Sequence, residues 1–419
     1  MDQGLLREIA AEYLVPLFSG STLEEQAENS SAQAQLVALL PGATSIAFKA
    51  DRNDDYRLIL TRPQPFATAK QTIVPEIDVV RAFVKSLEPM IPSLRVTSLK
   101  HDLLSTFSRR IVAKAMSSIE EREDTLLLGI DQLTKWASRK YEGSPIAAAI
   151  GFRRHPPQDS SVPLLSDISG HDFSAVLSNG YDTLLAFDFA GRFISHHALS
   201  FDDEKYPYCP LRQAPIASWT TKDPGKRRVA LCLNRSGEVL VFRDGQLLFA
   251  RRSGRWRFLT QKPVLTQMGT PQDTKIREAV YETCLDASFA RTGACIGIVS
   301  SSHAARWQEV VVREEDHVKE GKSVKSRTMA RMIKTKKFHQ LDRRLRQELV
   351  SIDGATVLSH EAEVLAVGAI LKITKGSESG GRLAAAKALG ELGLGVKVSQ
   401  DGAITGFRLD REEPAFQIM

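Results

Sequence analysis

The sequence predicts a protein of the α+β, mixed α/β class, and three observations carry that reading. Short apolar runs bounded by Gly, Asp and Asn read as strands, and longer stretches with apolar residues at i, i+3 and i+4 read as helices. Both kinds occur throughout the chain. From about residue 274 they alternate, which calls for a mixed sheet packed between helices.

Residues 1–118 read as an α+β region. "MDQGLLREIAAEYLVPLF" carries charges inside its apolar pattern, the mark of an amphipathic helix and not of a signal peptide. "TSIAFKA" and "YRLILTR" flank the polar turn "DRNDD" as a hairpin, and "EIDVVRAFVKSLEPMI" and "HDLLSTFSRRIVAKAM" have helical spacing. Residues 119–265 read as a strand-rich α+β region. A helix, "LLLGIDQLTKWASRKY", is followed by several strands, with tight Gly-containing turns at 188–192 and 243–246. "QKPVLTQMGTPQDTK" is the expected linker.

A third region spans 266–410. It holds the helix "KIREAVYETCLDASFAR", the buried strand "GACIGIVSSS" and a charged, partly helical insertion over about 310–349. The strands "GATVLS" and "VLAVGAILKI", the helix "GRLAAAKALGELG" and a closing hairpin "GVKVSQDGAITGF" follow. Residues 411–419 are left as a tail. No internal repeat is visible.

The chain has 419 residues, 42% apolar and 25% charged, which fits a globular protein of two or three domains. No stretch approaches the ~18–20 consecutive apolar residues of a membrane-spanning helix, so no membrane partner is expected. The four cysteines, Cys209, Cys232, Cys284 and Cys295, form no CxxC pair, and a reducing cytoplasm is the expected setting. The net charge of +6 is unevenly spread. Between Lys319 and Arg346 eleven Lys or Arg stand against two acids, a local +9 that leaves about −3 elsewhere. Such a segment is either a solvated face or a surface for phosphates, nucleic acid or an acidic partner. Only Phe338 interrupts it as an aromatic, so a base-stacking surface is not expected.

Two short motifs have chemical content. Asp353-Gly354 precedes a strand, where the carboxylate suits a metal ion or a sugar hydroxyl and the glycine admits close approach of a ligand. Gly380-Gly381-Arg382 opens an alanine-rich helix, offering free amides, a favourable dipole and a guanidinium to an anion, with Ser377 and Ser379 as added donors. The plainer alternative is a hairpin turn followed by a capped helix. His196 and His197 alternate faces of a strand and do not converge on one metal. HExxH, P-loop and GxSxG patterns are absent.

In order, Arg291-Thr292-Gly293-Ala294, Asp353-Gly354-Ala355, Gly380-Gly381-Arg382 and Val398-Ser399-Gln400-Asp401 resemble the RTGA-like, DGA, GTRHR-like and VSEE-like motifs of the diadenylate cyclase (DAC) domain family. The resemblance covers about 274–410. It implies a DAC-like mixed sheet flanked by helices, with Asp353 as the catalytic, metal-binding carboxylate if the domain is active. The implied nucleotide-binding residues are Gly354, Ala355, Ser377, Ser379, Gly380, Gly381, Arg382 and Asp401. A Mg²⁺ or Mn²⁺ ion accompanies the catalytic case only.

The departures matter. The family's R-H-R reads Arg382-Leu383-Ala384 here, and Gln400 stands at the first Glu of the VSEE-like motif. Losing a charge-assisted donor costs about 1.5–3 kcal/mol, and each ~1.4 kcal/mol in a transition state is tenfold in rate. Lys372, Lys375 and the basic insertion are the cations at hand to replace what is lost. The thinned set is similar to the DACNV-type group of nucleotide sensors. The expected function is therefore a nucleotide sensor, with ATP or a cyclic dinucleotide as ligand and the N-terminal regions giving protein-partner or homo-oligomer contacts. An active cyclase making cyclic di-AMP from two ATP is the alternative. A nucleic-acid-binding or scaffold role for 319–346 is the second alternative.

Overall fold

A computed structural model describes residues 3–25, 40–49, 57–94, 97–117, 122–156, 161–200, 208–221, 227–269, 271, 273–319, 322–373, 380–410 and 413–419. The chain is α+β, with mixed sheets flanked by helices. It divides into two units, Met1–Thr260 and Gln261–Met419.

In the first unit the stretches 1–118 and 119–265, separate in the sequence reading, share a core up to Thr260. Leu6, Phe18, Phe83 and Phe107 belong to one apolar cluster with Leu126, Trp136, Phe152 and Phe249. A three-stranded antiparallel sheet joins Thr22–Glu25, Leu58–Thr61 and Ser45–Phe48, and the first of these strands is absent from the sequence reading. Beside it Glu76, fully buried at the start of the helix Glu76–Leu87, accepts from Arg62 Nη2 at 2.5 Å, from the Ala67 amide and from Thr260 Oγ1. The buried carboxylate is tolerated because it is ion-paired and multiply bonded. A seven-stranded sheet completes the unit.

The second unit alternates helices and strands. Helix α1 is Thr274–Ala290 and strand β1 is Ala294–Val299. Helices α2, Val324–Ile333, and α3, Arg343–Ser351, lie in the crossover to β2, Ala355–Leu358, and β3, Val364–Ala369. Helix α4 is Gly381–Gly390, followed by β4, Gly393–Val398, β5, Ile404–Arg408, and β6, Phe416–Ile418. The sheet order is β3-β2-β1-β4-β5-β6, parallel between β1 and β2 and antiparallel elsewhere. Strand β6, inside the stretch read as a tail, pairs with β5 and makes the sheet edge. Helix α4 packs closely: a Cβ on Gly395 would lie 1.8 Å from the Ala386 carbonyl oxygen, so only glycine fits there.

The two larger sheets share one strand topology, a repeat that the sequence hides. In the first unit Phe193–Ala198, Thr183–Phe187, Ala148–Arg153, Arg228–Leu233, Val239–Arg243 and Gln246–Arg252 lie side by side in the order and directions of β3-β2-β1-β4-β5-β6. Ala148 pairs with Leu233 as Ala294 pairs with Val398, and Ile150 with Leu185 as Ile296 with Thr356. By that register Asp182 stands where Asp353 does. The next turns match too: Asn234 N bonds to Glu238 O as Ser399 N bonds to Ala403 O. A helix precedes each copy's first strand, Glu123–Ala137 as α1, and another its fourth, Ala214–Thr221 as α4.

Candidate functional site

Strands β1 and β2 begin side by side because they are parallel. Antiparallel β4 ends against the start of β1, with Val398 opposite Ala294, and β3 ends against the start of β2, with Ala369 opposite Ala355. Residues 291–294, 353–355 and 398–401 therefore meet at one end of the strands in the middle of the sheet. The first turn of α4 reaches the same strand ends. The Arg382 guanidinium covers Gly293, where a Cβ would fall 2.6 Å from Nη1, and its Nη2 is 3.9 Å from Asp353 Oδ1.

The Asp353 side chain is 98% exposed and Arg382 is 31% exposed. Such a loose, hydrated pair adds little to stability, so both charges are available to a third party. Gly380 and Gly381 face open space, since a Cβ on either would meet nothing within 4 Å. The amides of this helix start and the guanidinium suit an anion.

Beneath Asp353 two glycine backbones interlock. Gly354 has φ +104, and a Cβ there would lie 2.5 Å from the Gly368 carbonyl carbon. Gly368 has φ +57, and a Cβ there would lie 2.6 Å from Ile352 Cγ2 and 2.9 Å from the Asp353 carbonyl oxygen. Both positions demand glycine on conformation and on space. Lys325 of α2 secures the turn from the side, its Nζ donating to Gly368 O at 3.1 Å and to Asp316 Oδ1 at 2.5 Å. Buried Asp316 also accepts from the Ile370 amide at 3.2 Å.

Other expected residues take narrower parts. Ala355 is buried and pairs with Ala369 of β3. The Asp401 carboxylate closes its own turn onto the Ala403 amide, while its carbonyl accepts from Arg291 Nη1 at 2.7 Å. Ser377, Ser379 and Lys375 lie outside the described residues. Burial pushes the Cys295 thiol up to about 12, against the pull of the Arg382 charge. Among the described residues no group of three or more His, Cys, Asp or Glu is placed to hold a metal ion. Asp353 stands as a single carboxylate, which suits Mg²⁺ only where phosphate oxygens and water supply the other ligands.

Sequence reasoning missed Gly368, Lys325 and Asp316. An isolated glycine inside the apolar run "VLAVGAIL" is the available signal, since such a glycine marks a bulge or a close backbone approach. The pairing of β2 with β3 does shift register beside it.

No family model matches this chain, and no curated protein matches it. Among solved structures it is similar to one described as the hypothetical membrane spanning protein from Bacillus cereus, at 14% identity over 40% of this chain and 88% of that one, with a TM-score of 0.23. A likeness at that score carries no argument. Among the described residues no helix is long and apolar enough to cross a membrane.

Proposed function

We propose that the second unit is the nucleotide-binding domain of a sensor protein. The carrying observation is the meeting of Asp353, the Gly380-Gly381 helix start and Arg382 at one end of the central strands, with Asp353 and Arg382 3.9 Å apart and both reaching solvent. A carboxylate suits a ribose hydroxyl or a ligand-borne Mg²⁺ or Mn²⁺, and the helix start with its guanidinium suits a phosphate. The DAC resemblance supports the same assignment, with ATP or a cyclic dinucleotide as the ligand class. The proposed setting is the cytoplasm, where the four buried cysteines stay thiols.

The reading is of binding without efficient turnover. Leu383 and Ala384 carry no charge, and Ala384 is buried in the packing of α4, so Arg382 is the one cation that the first turn of this helix presents. Mass spectrometry of nucleotides co-purifying with the full chain, beside incubation with labelled ATP and Mn²⁺, tests this. A bound nucleotide with no accumulating cyclic di-AMP is expected. Sustained multiple-turnover synthesis that stops in Asp353→Asn would establish the cyclase instead.

A further inference from the structure

In the first unit the pairs Arg153-Arg154 and Arg227-Arg228 stand at the ends of two neighbouring strands. Arg153 ends Ala148–Arg153, Arg228 begins Arg228–Leu233, and the two face each other across the antiparallel ladder. Arg154 and Arg227, both exposed, are the next residues outward.

Arg153 and Arg228 share one face of the sheet. A Cβ on Gly151, two residues before Arg153, would meet the Trp219 ring at 2.6 Å. Arg228 lies over that indole at 4.8 Å and donates to the Trp219 carbonyl. Directly opposed residues have Cβ atoms about 5 Å apart, and like charges there repel. Arg228 is buried, and Arg153 Nε is buried with no hydrogen-bond partner. Arg153 and Arg227 have no ion-pair partner among the described residues. The strand ends on either side each add a carboxylate already matched by an arginine of its own. Asp188, after Thr183–Phe187, accepts from the Ala190 and Arg192 amides and lies 3.7 Å from Arg192 Nη1. Asp244, after Val239–Arg243, lies 3.6 Å from Arg243 Nε.

The repeated topology shows that the fold does not ask for these charges. By its register Arg153 and Arg228 stand where Val299 and Gly393 pair in the second unit. Repulsion and desolvation of two guanidiniums are therefore costs that serve something other than folding.

We propose that this row of strand ends docks an acidic segment of a partner protein. At ~4.8 Å per strand, the ends of the four neighbouring strands span roughly 14 Å, the length of about four residues of extended chain. Guanidinium forks take carboxylates in a bidentate way. Trp219 is buried beneath Arg228, so its ring offers no stacking surface to a nucleic-acid base.

Fluorescence anisotropy with a labelled deca-glutamate peptide, at low and high salt, tests this on the full chain. The proteins are wild type, R153Q/R227Q and, as a control for the basic insertion, R327Q/R331Q. Wild type and R327Q/R331Q should bind the peptide alike, and R153Q/R227Q at least tenfold more weakly, with salt narrowing the gap. R153Q/R227Q should melt no lower than wild type, because it removes repulsion and no ion pair. A lower melting temperature gives these arginines a structural role and overturns the proposal. Equal peptide binding by wild type and R153Q/R227Q, or none by wild type, overturns it too. A short DNA duplex that wild type binds more tightly than the peptide, and R153Q/R227Q does not, assigns the row to nucleic acid instead.

Discussion

Arg382 occupies the space in which a side chain at residue 293 would begin, its Nη1 lying 2.6 Å from where a Cβ on Gly293 would stand. Gly293 also has φ +65, where an L-residue costs about 1–2 kcal/mol. Gly293→Ala should therefore lower stability by about that amount and push Arg382 away from Asp353. Nucleotide affinity should fall as it does in Arg382→Ala. Wild-type affinity in a folded Gly293→Ala would show that the placement of Arg382 does not matter to the ligand.

The Asp316–Lys325 pair makes a stability prediction. Asp316 is 4% exposed and serves both Lys325 and the Ile370 amide, so Asp316→Ala strips two donors at once. A hydrogen bond to a charged group contributes about 1.5–3 kcal/mol. Lys325 keeps partial access to water, which limits the damage, so a loss of about 2 kcal/mol in urea unfolding is expected. A change below ~0.5 kcal/mol would mean the pair only decorates the turn.

The repeated topology separates two aspartates that the register equates. In the first copy Thr183 follows Asp182 where Gly354 follows Asp353, and Asp182 Oδ1 is taken by Asn179 Nδ2 at 2.6 Å. Asp353→Asn should weaken nucleotide binding severalfold, while Asp182→Asn should leave it alone. Titration should saturate at one ligand per chain. Two equivalent ligands, one lost in each variant, would show that both copies bind.

How much of this was legible in the sequence depended on range. The α+β class, the strands around Ile296 and Val396 and the turn at Asp353-Gly354 follow from local periodicity and turn chemistry, and the structure has them. The repeat did not show, because a strand order is fixed by which apolar faces pair. Many sequences satisfy the same pairing, as "ALCLNRSGEVLVF" and "GVKVSQDGAITGF" do. The edge strand Phe416–Ile418 was missed because three residues carry too little period to read. At the site, Asp353 and Arg382 were legible as charges beside glycines. Gly368, Lys325 and Asp316 act through contacts across the sheet that no local window contains.

Burial of thiols sets an alkaline limit. Cys284 and Cys295 are fully buried with pKa values raised by burial, Cys295 to about 12. In the unfolded chain a thiol ionises near pH 8.5. The folded state binds the proton more tightly, so stability is full below about pH 8.5 and falls as pH rises towards 12. The loss is about 1 kcal/mol per thiol for each pH unit in that window. Urea midpoints at pH 8 and pH 10 should differ accordingly, and Cys295→Ala should reduce the difference. A midpoint flat across that interval would show that the thiols ionise in the fold.

Placing on α4 the cations of the motif it resembles should fail for a structural reason. Leu383 is half-buried against the apolar cluster of Ala386 and Leu389, and Ala384 is 7% exposed. An arginine at 384 has to displace packed neighbours or leave its head poorly hydrated, and overpacking of this kind costs about 1–3 kcal/mol. Leu383→His is milder, because position 383 keeps contact with water. The double variant Leu383→His/Ala384→Arg should therefore melt several degrees lower and gain no cyclase activity with ATP and Mn²⁺. Wild-type stability together with cyclic di-AMP synthesis would show instead that position 384 opens to the ligand and tolerates the charge.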